Sequence, residues 1–387
     1  MYREGKVPCS DKKNVAIIAG EASGDLHGSN LVKAMQRINP RIQFYGIGGE
    51  KLKEAGVKIV ADSSDMAVVG LTEVLSKLGF ILSVRRKLKR SLYEENPDLL
   101  ILIDYPDFNL PLAKVAKKHG IKVFYYISPQ VWAWRKRRIY HIARYVDKMA
   151  VILPFETSLY DEVDLDVRFV GHPLLDVVNM KFSRDDSIRE FGLKDRGTIV
   201  GILPGSRESE VTKLLPDMIK AAVILKERIS PVQFVLPLAD TLNHELISDI
   251  VNQYSVDVTV ITDNVYDVIG LSDIVMVASG TATLETALLE TPMVIVYKVS
   301  PLSYFIGRII INVDHIGMVN IIAGKKVVPE FIQNDATPEN IANGIYDILS
   351  DAPRMDTIKR ELSQIRGKLG LPGAAARAAE LACEIID

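Results

Sequence analysis

Two loops in the second half of the chain follow apolar strands and have the composition of phosphate-binding turns. The first, GILPGSRESEV, places a turn at Pro204–Gly205, a predicted helix cap at Ser206 and the guanidinium of Arg207 directly before a helix. Backbone N–H groups at a helix start attract anions, and an arginine donates two parallel hydrogen bonds to a phosphate. An ordinary capped helix with a solvated arginine is the alternative, because Glu208 and Glu210 already interact favourably with the helix dipole.

The second loop, ASGTATLE, repeats the order of strand, small-residue turn and helix. Small side chains allow a ligand to approach the backbone closely, and Glu285 one turn further could accept hydrogen bonds from ribose hydroxyls. A helix-capping role for this turn is the alternative. Neither loop is a Walker motif, but two such loops in one domain favour a nucleotide. The predicted contacts are Gly205, Ser206, Arg207, Ser279, Gly280, Thr281, Ala282 and Glu285.

The first half of the chain contains two further polar turns after apolar strands. GEASGDLHG could bind sugar hydroxyls or phosphate, although His27 is equally typical of a partly exposed helix without a ligand. LLILIDYPDFN ends a buried strand in an acid, so Asp104 is a candidate general base, with a turn cap at Pro106 as the alternative. The predicted contacts in the first turn are Gly20, Glu21, Ser23, Gly24, Asp25 and His27.

The elements that position these loops follow a βαβ pattern, because short apolar runs alternate with helical stretches. A length of 387 residues suits two domains, and the polar stretch 176–197 is the predicted linker. We predict an α/β fold of two Rossmann-like, doubly wound domains that face a central cleft, at 1–180 and 181–336. A helical tail at 337–387 is predicted to pack back on the first domain. The predicted strands contain NVAIIAG, IQFYGIG, DLLILID, KVFYYIS, KMAVIL, VRFVG, TIVGILPG, VQFVLPL, VTVIT, DIVMVAS and MVIVYK.

Composition describes a globular protein, with 48% hydrophobic and 25% charged residues. The net charge is −2, but residues 1–150 carry an excess of basic groups and the remainder an excess of acidic ones. The first half therefore suits an anionic partner, such as a phosphorylated substrate, a membrane surface or a nucleic acid. Two cysteines, Cys9 and Cys383, are typical of a reducing compartment. We find no signal peptide and no apolar run of about 18 residues, and we expect a cytoplasmic protein.

Taken together, these loops belong to a series of motifs that runs along nearly the whole chain. In chain order the motifs are AGEASGDLHG, IDYPDFN, SPQVWAW, LPFE, FVGHPL, LPGSRESEV, SGTATLE and VVPEFIQ. With these motifs in this order, the chain resembles the lipid-A-disaccharide synthase family, whose members are bacterial glycosyltransferases of the GT-B fold. The resemblance implies transfer of 2,3-diacylglucosamine from UDP to 2,3-diacylglucosamine 1-phosphate (lipid X). The product would be the β(1→6) disaccharide precursor of lipid A, with UDP as leaving group.

The resemblance also implies roles for particular residues. Asp104 would take the proton of the acceptor 6-hydroxyl, and Arg207 with the two helix starts would stabilise charge on the departing diphosphate in one inverting displacement. Asn320 in GMVNIIAG matches a functional asparagine of the family, although Val319 stands where the family more often has proline. Ser128 and Trp132 lie in the matching SPQVWAW motif and are predicted to contact the acceptor. We expect neither a metal nor another cofactor in the mechanism.

Because the implied substrates are acylated, we expect the enzyme to act at a membrane surface. Residues 66–90 join an apolar stretch to a basic cluster, which is typical of an interfacial helix on anionic lipid. A core helix with a solvated end is the alternative. The run Trp132–Arg138 is interpreted as a wall where acyl chains meet phosphate, with a solvated helix face as the alternative for its cations. The predicted membrane-facing residues are Val68, Val69, Leu71, Leu75, Leu78, Arg85 and Arg86.

We therefore expect peripheral association with the inner face of the inner membrane, no nucleic acid, and a homodimer as one candidate assembly. Two other functions fit part of the pattern. Another GT-B enzyme, a peptidoglycan transferase or a 2-epimerase that uses UDP-N-acetylglucosamine, would share the domain plan but would not need residues 66–90. A membrane-binding or nucleic-acid-binding module would use the basic half but would leave the two phosphate loops unexplained. Binding of UDP separates both enzymes from the module.

Overall fold

The computed structural model describes residues 12–63, 71–134, 136–239, 241–300, 304 and 314–386, and it leaves out the side chains of 71–78 and 134. The chain divides into two compact units. The first contains Met1–Pro173 and Gly370–Asp387, and the second contains Leu174–Leu369. The division differs from the predicted one, because residues 174–180 and 337–369 lie in the second unit and only the last residues return to the first.

The first unit is built on a sheet of seven parallel strands in the order β3-β2-β1-β4-β5-β6-β7. This order reverses between β1 and β4, which is the switch point of a doubly wound sheet. The strands are β1 (Lys13–Ala19), β2 (Ile42–Gly48), β3 (Lys58–Asp62), β4 (Leu99–Ile103), β5 (Lys122–Tyr126), β6 (Lys148–Val151) and β7 (Asp166–Phe169).

Helices cover both faces of this sheet. Because side chains alternate along a strand, Ile101 of β4 packs in one core and Leu102 in the other. Helices α1 and α16 contribute to the first core, and α3, α4 and α6 to the second. The helices are α1 (Ala22–Ile38), α2 (Glu50–Glu54), α3 (Leu71–Glu95), α4 (Pro106–Lys118), α5 (Val131–Trp134), α6 (Arg138–Tyr145), the 3₁₀ turn Thr157–Tyr160, and α16 (Ala374–Ile386).

The second unit has a sheet of six parallel strands in the order β10-β9-β8-β11-β12-β13, with the reversal between β8 and β11. The strands are β8 (Thr198–Leu203), β9 (Val232–Leu238), β10 (Val258–Thr262), β11 (Ile274–Ala278), β12 (Met293–Tyr297) and β13 (Glu330–Ile332).

Each pair of successive strands is connected by a helix, as parallel pairing requires, and two further helices precede β8 and two follow β13. They are α7 (Leu174–Val177), α8 (Arg184–Glu190), α9 (Glu208–Arg228), α10 (His244–Val251), α11 (Val265–Leu271), α12 (Thr281–Leu288), α13 (Met318–Ala323), the 3₁₀ turn Gln333–Asp335, α14 (Pro338–Leu349) and α15 (Ala352–Lys368).

Every strand predicted above is present. The sequence pattern missed β3 and β13, which form outer strands of the two sheets. In β3 the two end residues are exposed and the other three are partly buried, and β13 has three residues, all partly buried. Neither strand therefore shows the continuous apolar run by which the central strands were recognised.

Candidate functional site

A cavity of about 580 Å³ lies in the second unit at the carboxyl ends of its strands. Residues that follow β8, β9, β10 and β11 line it, so it occupies the switch point where doubly wound sheets bind ligands. Both predicted loops reach it. The predicted contacts that line the cavity are Gly205, Ser206, Arg207, Ser279, Gly280, Thr281, Ala282 and Glu285.

The first loop is shaped by a glycine and by an arginine–glutamate pair. Gly205 has φ 111°, and an added Cβ would lie 2.7 Å from Glu210 Oε2, so no other residue fits without strain. Arg207 Nη1 donates to Glu210 Oε1 at 3.0 Å. The prediction that Ser206 caps the helix is wrong, because Arg207 holds the cap position without a capping side chain. The Ser206 carbonyl instead accepts from Thr241 Oγ1 at 2.5 Å.

The second loop leaves its backbone open to the cavity. Gly280 is extended, and a Cβ added there would meet no atom within 4 Å. Glu285 lies half-buried on α12, where its Oε1 accepts from the hydroxyl of Tyr266 at 3.2 Å. Burial raises the pKa of Glu285, and the hydrogen bond from Tyr266 opposes that rise. The carboxylate is thus oriented from one side and exposed to the cavity on the other.

The loop after β10 also lines the cavity and was not predicted. Asp263, with φ 58°, Asn264 and Val265 belong to it. The position of this loop in the sequence could have revealed it. VTVIT is predicted as a strand, and the polar pair Asp263–Asn264 after it lies at the same sheet edge as the two predicted loops.

Asn320 has a structural role instead of the predicted contact with the nucleotide sugar. Its fully buried amide donates from Nδ2 to Val328 O at 2.9 Å and to Glu330 Oε1 at 2.8 Å. Its Oδ1 accepts from the backbone N–H groups of Val327 and Val328 at 2.8 and 3.0 Å. These four bonds use the whole capacity of the amide. Val319 lies in the first turn of α13, where proline is also tolerated. Valine in place of the family's proline therefore leaves the hydrogen bonds of Asn320 unchanged.

In the first unit, Asp104 directly follows β4 and lies near Glu21, which follows β1. Burial first, and then the charge of Glu21, raise the pKa of Asp104 to about 6, against the opposing effect of the N–H of Tyr105. A carboxyl group with this pKa suits a general base that works near neutral pH.

The glycines of the first polar turn serve packing. An added Cβ at Gly20 would lie 2.4 Å from Cδ1 of Tyr105, whose ring covers this position. A Cβ at Gly24 would contact Ala19 at 3.4 Å, so α1 lies close against the sheet. Ser23 and Glu21 are exposed and remain available to a ligand.

Asp25 has a structural role in place of the predicted one. Its buried carboxylate accepts from the N–H groups of Gly49 at 2.6 Å, Lys51 at 3.0 Å and Leu52 at 3.1 Å. It therefore caps α2 from outside the helix, which satisfies donors that a helix start otherwise leaves unpaired.

His27 is neutral and partly buried beside His172 of the FVGHPL motif. Burial lowers the pKa of His27 to about 4, and burial together with the charge of His27 lowers that of His172 to about 3. Nδ1 of His27 is buried without a hydrogen-bond partner among the described residues. Neither imidazole therefore offers a positive charge to a phosphate at pH 7.

A buried acid that the sequence did not single out lies behind the SPQVWAW segment. Glu156 of the LPFE motif is 1% exposed, and its Oε2 accepts from Leu153 N at 3.0 Å. Burial raises the pKa of Glu156 to about 8, against the effect of nearby N–H groups. The Trp132 indole, packed edge-on against Phe155, is one of these groups, although its buried Nε1 meets no acceptor in hydrogen-bonding geometry in the described chain. Phe155 and Glu156 of LPFE therefore both lie against Trp132.

Ser128 supports the same region. It is 4% exposed, and its hydroxyl pairs with that of Tyr160 at 2.9 Å. The contact of Ser128 with the acceptor stays a prediction.

Replacing Glu156 by glutamine is expected to change how stability depends on pH. Glu156 is protonated in the folded protein up to about pH 8 but ionises near 4.5 once unfolded. The free energy of unfolding therefore falls as pH rises from about 5 to 8, by at most about 1.4 kcal/mol per pH unit. We expect Glu156→Gln to remove this fall in the free energy of unfolding. Urea denaturation at several pH values measures it. Glu162→Gln, an exposed neighbour, should keep it, and parallel curves for Glu156→Gln and the unmodified protein would refute the assignment.

The basic segments are only partly described. Arg138 pairs with Asp107 at 2.5 Å and Lys136 with Glu162 at 3.5 Å, whereas Arg137 is exposed. The side chain of Trp134 and residue Arg135 lie outside the described part. The first of these pairs joins α6 to the start of α4, so at least one cation of this run has a structural partner.

Helix α3 packs on the sheet through Val84, Leu88 and Leu92. Arg85 is half-buried and Arg86 exposed. Val68 and Val69 lie outside the described residues, as do the side chains of Leu71, Leu75 and Leu78.

None of the described helices combines the length and the apolar character of a membrane-spanning segment. The described residues contain no group of three or more His, Cys, Asp or Glu side chains that could hold a metal ion.

Comparison with known proteins identifies the family. The model of the lipid-A-disaccharide synthetase family matches residues 15–386. A lipid-A-disaccharide synthase of Syntrophus aciditrophicus is 59% identical over 97% of this chain and 98% of that protein. The chain belongs to the lipid-A-disaccharide synthase family. A lipid-A-disaccharide synthase of Geobacter metallireducens is 50% identical over 97% of each chain.

Solved structures support the fold of this lipid-A-disaccharide synthase family member. MurG of Acinetobacter baumannii aligns with a TM-score of 0.60 at 14% identity, over 96% of this chain and 99% of that one. A UDP-GlcNAc 2-epimerase of Neisseria meningitidis, bound to UDP-GlcNAc, gives the same score and identity, over 96% of this chain and 98% of that one. The predicted GT-B fold and the predicted glycosyltransferase class are confirmed. The alternatives of a 2-epimerase, a peptidoglycan transferase and a non-enzymatic module are set aside.

Proposed function

We propose that the enzyme transfers 2,3-diacylglucosamine from UDP to the 6-hydroxyl of lipid X by a single inverting displacement. The observation that carries the proposal is the cavity at the switch point of the second unit, where two loops with free helix starts, Arg207 and Glu285 line one space. Its volume of about 580 Å³ suits a nucleotide. Membership of the lipid-A-disaccharide synthase family supports the sugar and the acceptor.

The second unit would bind the donor. N–H groups at the starts of α9 and α12 and the guanidinium of Arg207 would face the diphosphate, which gains negative charge as the glycosidic bond breaks. Glu285, oriented by Tyr266, would accept hydrogen bonds from the ribose hydroxyls. These donors would stabilise the leaving group without a metal ion.

The first unit would supply the base. Asp104 would accept the proton of the acceptor 6-hydroxyl while that oxygen bonds to C1 of the donor sugar from the face opposite the diphosphate. The bond from C1 to the phosphate oxygen breaks with its electron pair on UDP, so the α-linked donor gives a β product. Because acylated substrates reside in lipid, the enzyme would contact the inner face of the inner membrane, with exposed cations such as Arg86 toward anionic headgroups.

Incubation with UDP-2,3-diacylglucosamine and lipid X in detergent micelles tests the function, with a chelator present. We expect disaccharide 1-phosphate and UDP to appear in equal amounts. If UDP stabilises the protein thermally but no disaccharide forms, the assignment of the sugar substrates fails. If product forms only after a divalent ion is restored, the metal-free mechanism fails.

Replacing Gly280 by valine is expected to weaken UDP binding without unfolding the protein. The new side chain would meet no protein atom within 4 Å and would extend into the cavity, so the loss of UDP affinity should reach at least about tenfold. Isothermal titration with UDP measures it. Gly367→Val on the exposed surface of α15 is the control, since its added Cβ also meets open space. Equal UDP affinity in both variants would place the nucleotide elsewhere.

A further inference from the structure

The backbone at Asp104 and Tyr105 has an unusual conformation. Asp104 has φ 42° and Tyr105 has φ 45°, so two successive residues other than glycine lie in the left-handed region. This region is unfavourable for residues with a Cβ, and such strain persists only where the surroundings enforce it. The next strand ends in the same way, because Ile127 after β5 has φ 66°.

Two buried side chains hold this conformation through one carbonyl oxygen. The backbone oxygen of Asp104 accepts from Asn109 Nδ2 at 2.6 Å and from the hydroxyl of Tyr125 at 2.5 Å. Asn109 Nδ2 also donates to the carbonyl of Ile103 at 3.1 Å. Both side chains are fully buried. Because solvent cannot reach either side chain, the two bonds give this peptide one defined orientation.

The two donors come from different elements. Asn109 lies in the first turns of α4, and Tyr125 lies on β5, where it pairs in register with Leu102 of β4. Burial keeps the pKa of Tyr125 well above its ordinary value, so its hydroxyl remains a donor throughout the physiological range. The ring of Tyr105 is in turn stacked on Phe108 and covers Gly20. The carbonyl of Asp104 is therefore held from the helix side and from the sheet side at once.

We propose that Asn109 and Tyr125 are positioning residues for glycosyl transfer, which hold the backbone of Asp104 so that its carboxylate meets the acceptor hydroxyl. The proposal rests on the proposed function, in which Asp104 is the base. Neither residue touches substrate. Each acts only through the orientation of the Asp104 peptide, and a shift of about 1 Å in a reacting group can lower a rate about 100-fold.

Tyr125→Phe is the test, because it removes one hydroxyl from a buried ring and leaves the carbonyl its bond from Asn109. We expect kcat for disaccharide formation to fall about 10- to 100-fold. The affinity for UDP and the KM for UDP-2,3-diacylglucosamine should stay within about twofold, because the donor cavity lies in the other unit. A merely structural role would lower stability and all of these parameters together.

Tyr126→Phe is the matched control. Tyr126 is the next residue of β5, is equally buried and packs in the opposite core, so its hydroxyl lies on the other face of the sheet. We expect the kcat of Tyr126→Phe to equal that of the unmodified enzyme. The proposal is overturned if Tyr125→Phe keeps kcat, if both variants lose it equally, or if UDP affinity falls in parallel with kcat.

Asp104→Asn separates this proposal from the proposed function. If Asp104→Asn abolishes turnover while Tyr125→Phe does not, the base assignment survives and the positioning role is refuted. If Asp104→Asn remains fully active, the base assignment itself fails, and the positioning proposal fails with it.

Discussion

Asp104→Asn is expected to lower kcat by about 10²- to 10⁴-fold while UDP binds as before. The amide has nearly the shape of the carboxyl group, and the backbone bonds of this residue to Asn109 and Tyr125 do not involve its side chain. The variant should therefore fold normally and lose only its ability to accept a proton. Turnover of UDP-2,3-diacylglucosamine with lipid X measures the loss, and calorimetric titration with UDP serves as the control.

The dependence of kcat/KM on pH should identify the same group. Below about pH 6 the carboxyl of Asp104 is protonated and cannot accept the hydroxyl proton, so the rate should rise with pH and level off above it. The charge of Glu21 contributes to the raised pKa of Asp104. Glu21→Gln should consequently move the acidic limb to lower pH. An acidic limb that stays in place in Glu21→Gln, or substantial turnover by Asp104→Asn, would assign the base elsewhere.

Arg207→Ala is expected to lower kcat by about 10²- to 10³-fold, as the loss of a preorganised donor to a developing charge does in other enzymes. The guanidinium is more than half exposed and is held by one bond to Glu210, so its removal leaves no buried charge and should not unfold the chain. The loss arises because negative charge on the departing diphosphate is greater in the transition state than in the bound donor. Single-turnover kinetics with saturating donor would measure it.

Arg207→Lys distinguishes charge from geometry. Lysine keeps the positive charge but not the planar pair of donors, so we expect an intermediate rate. A rate for Arg207→Ala within about threefold of the unmodified enzyme would show that the helix starts alone stabilise the diphosphate.

Much of the fold and of the donor cavity could be predicted from the sequence, because both depend on local patterns. Central parallel strands are buried on both faces and appear as continuous apolar runs, and the turns after them converge at one sheet edge. Gly205, Gly280 and Glu285 were recognised for this reason, and all of them line the cavity.

What could not be predicted depends on contacts between distant segments. Asn320 and Asp25 are predicted from the sequence to contact ligands. In the structure their side chains form hydrogen bonds with backbone N–H groups or carbonyls of segments that only folding brings close to them. Glu156 was overlooked for the converse reason. A single acid in a loop carries no sign of burial, and its raised pKa comes entirely from the three-dimensional packing around it.

The return of α16 to the first unit has a consequence for synthesis on the ribosome. Ala378, Leu381 and Ile386 complete the core that begins with Val15 and Ile17 of β1. The nascent first unit therefore lacks part of its interior until α16 has been translated. The second unit, which is continuous from Leu174 to Leu369, has all its residues earlier. The second unit can thus reach its final state before the first, although the first unit begins earlier along the messenger RNA.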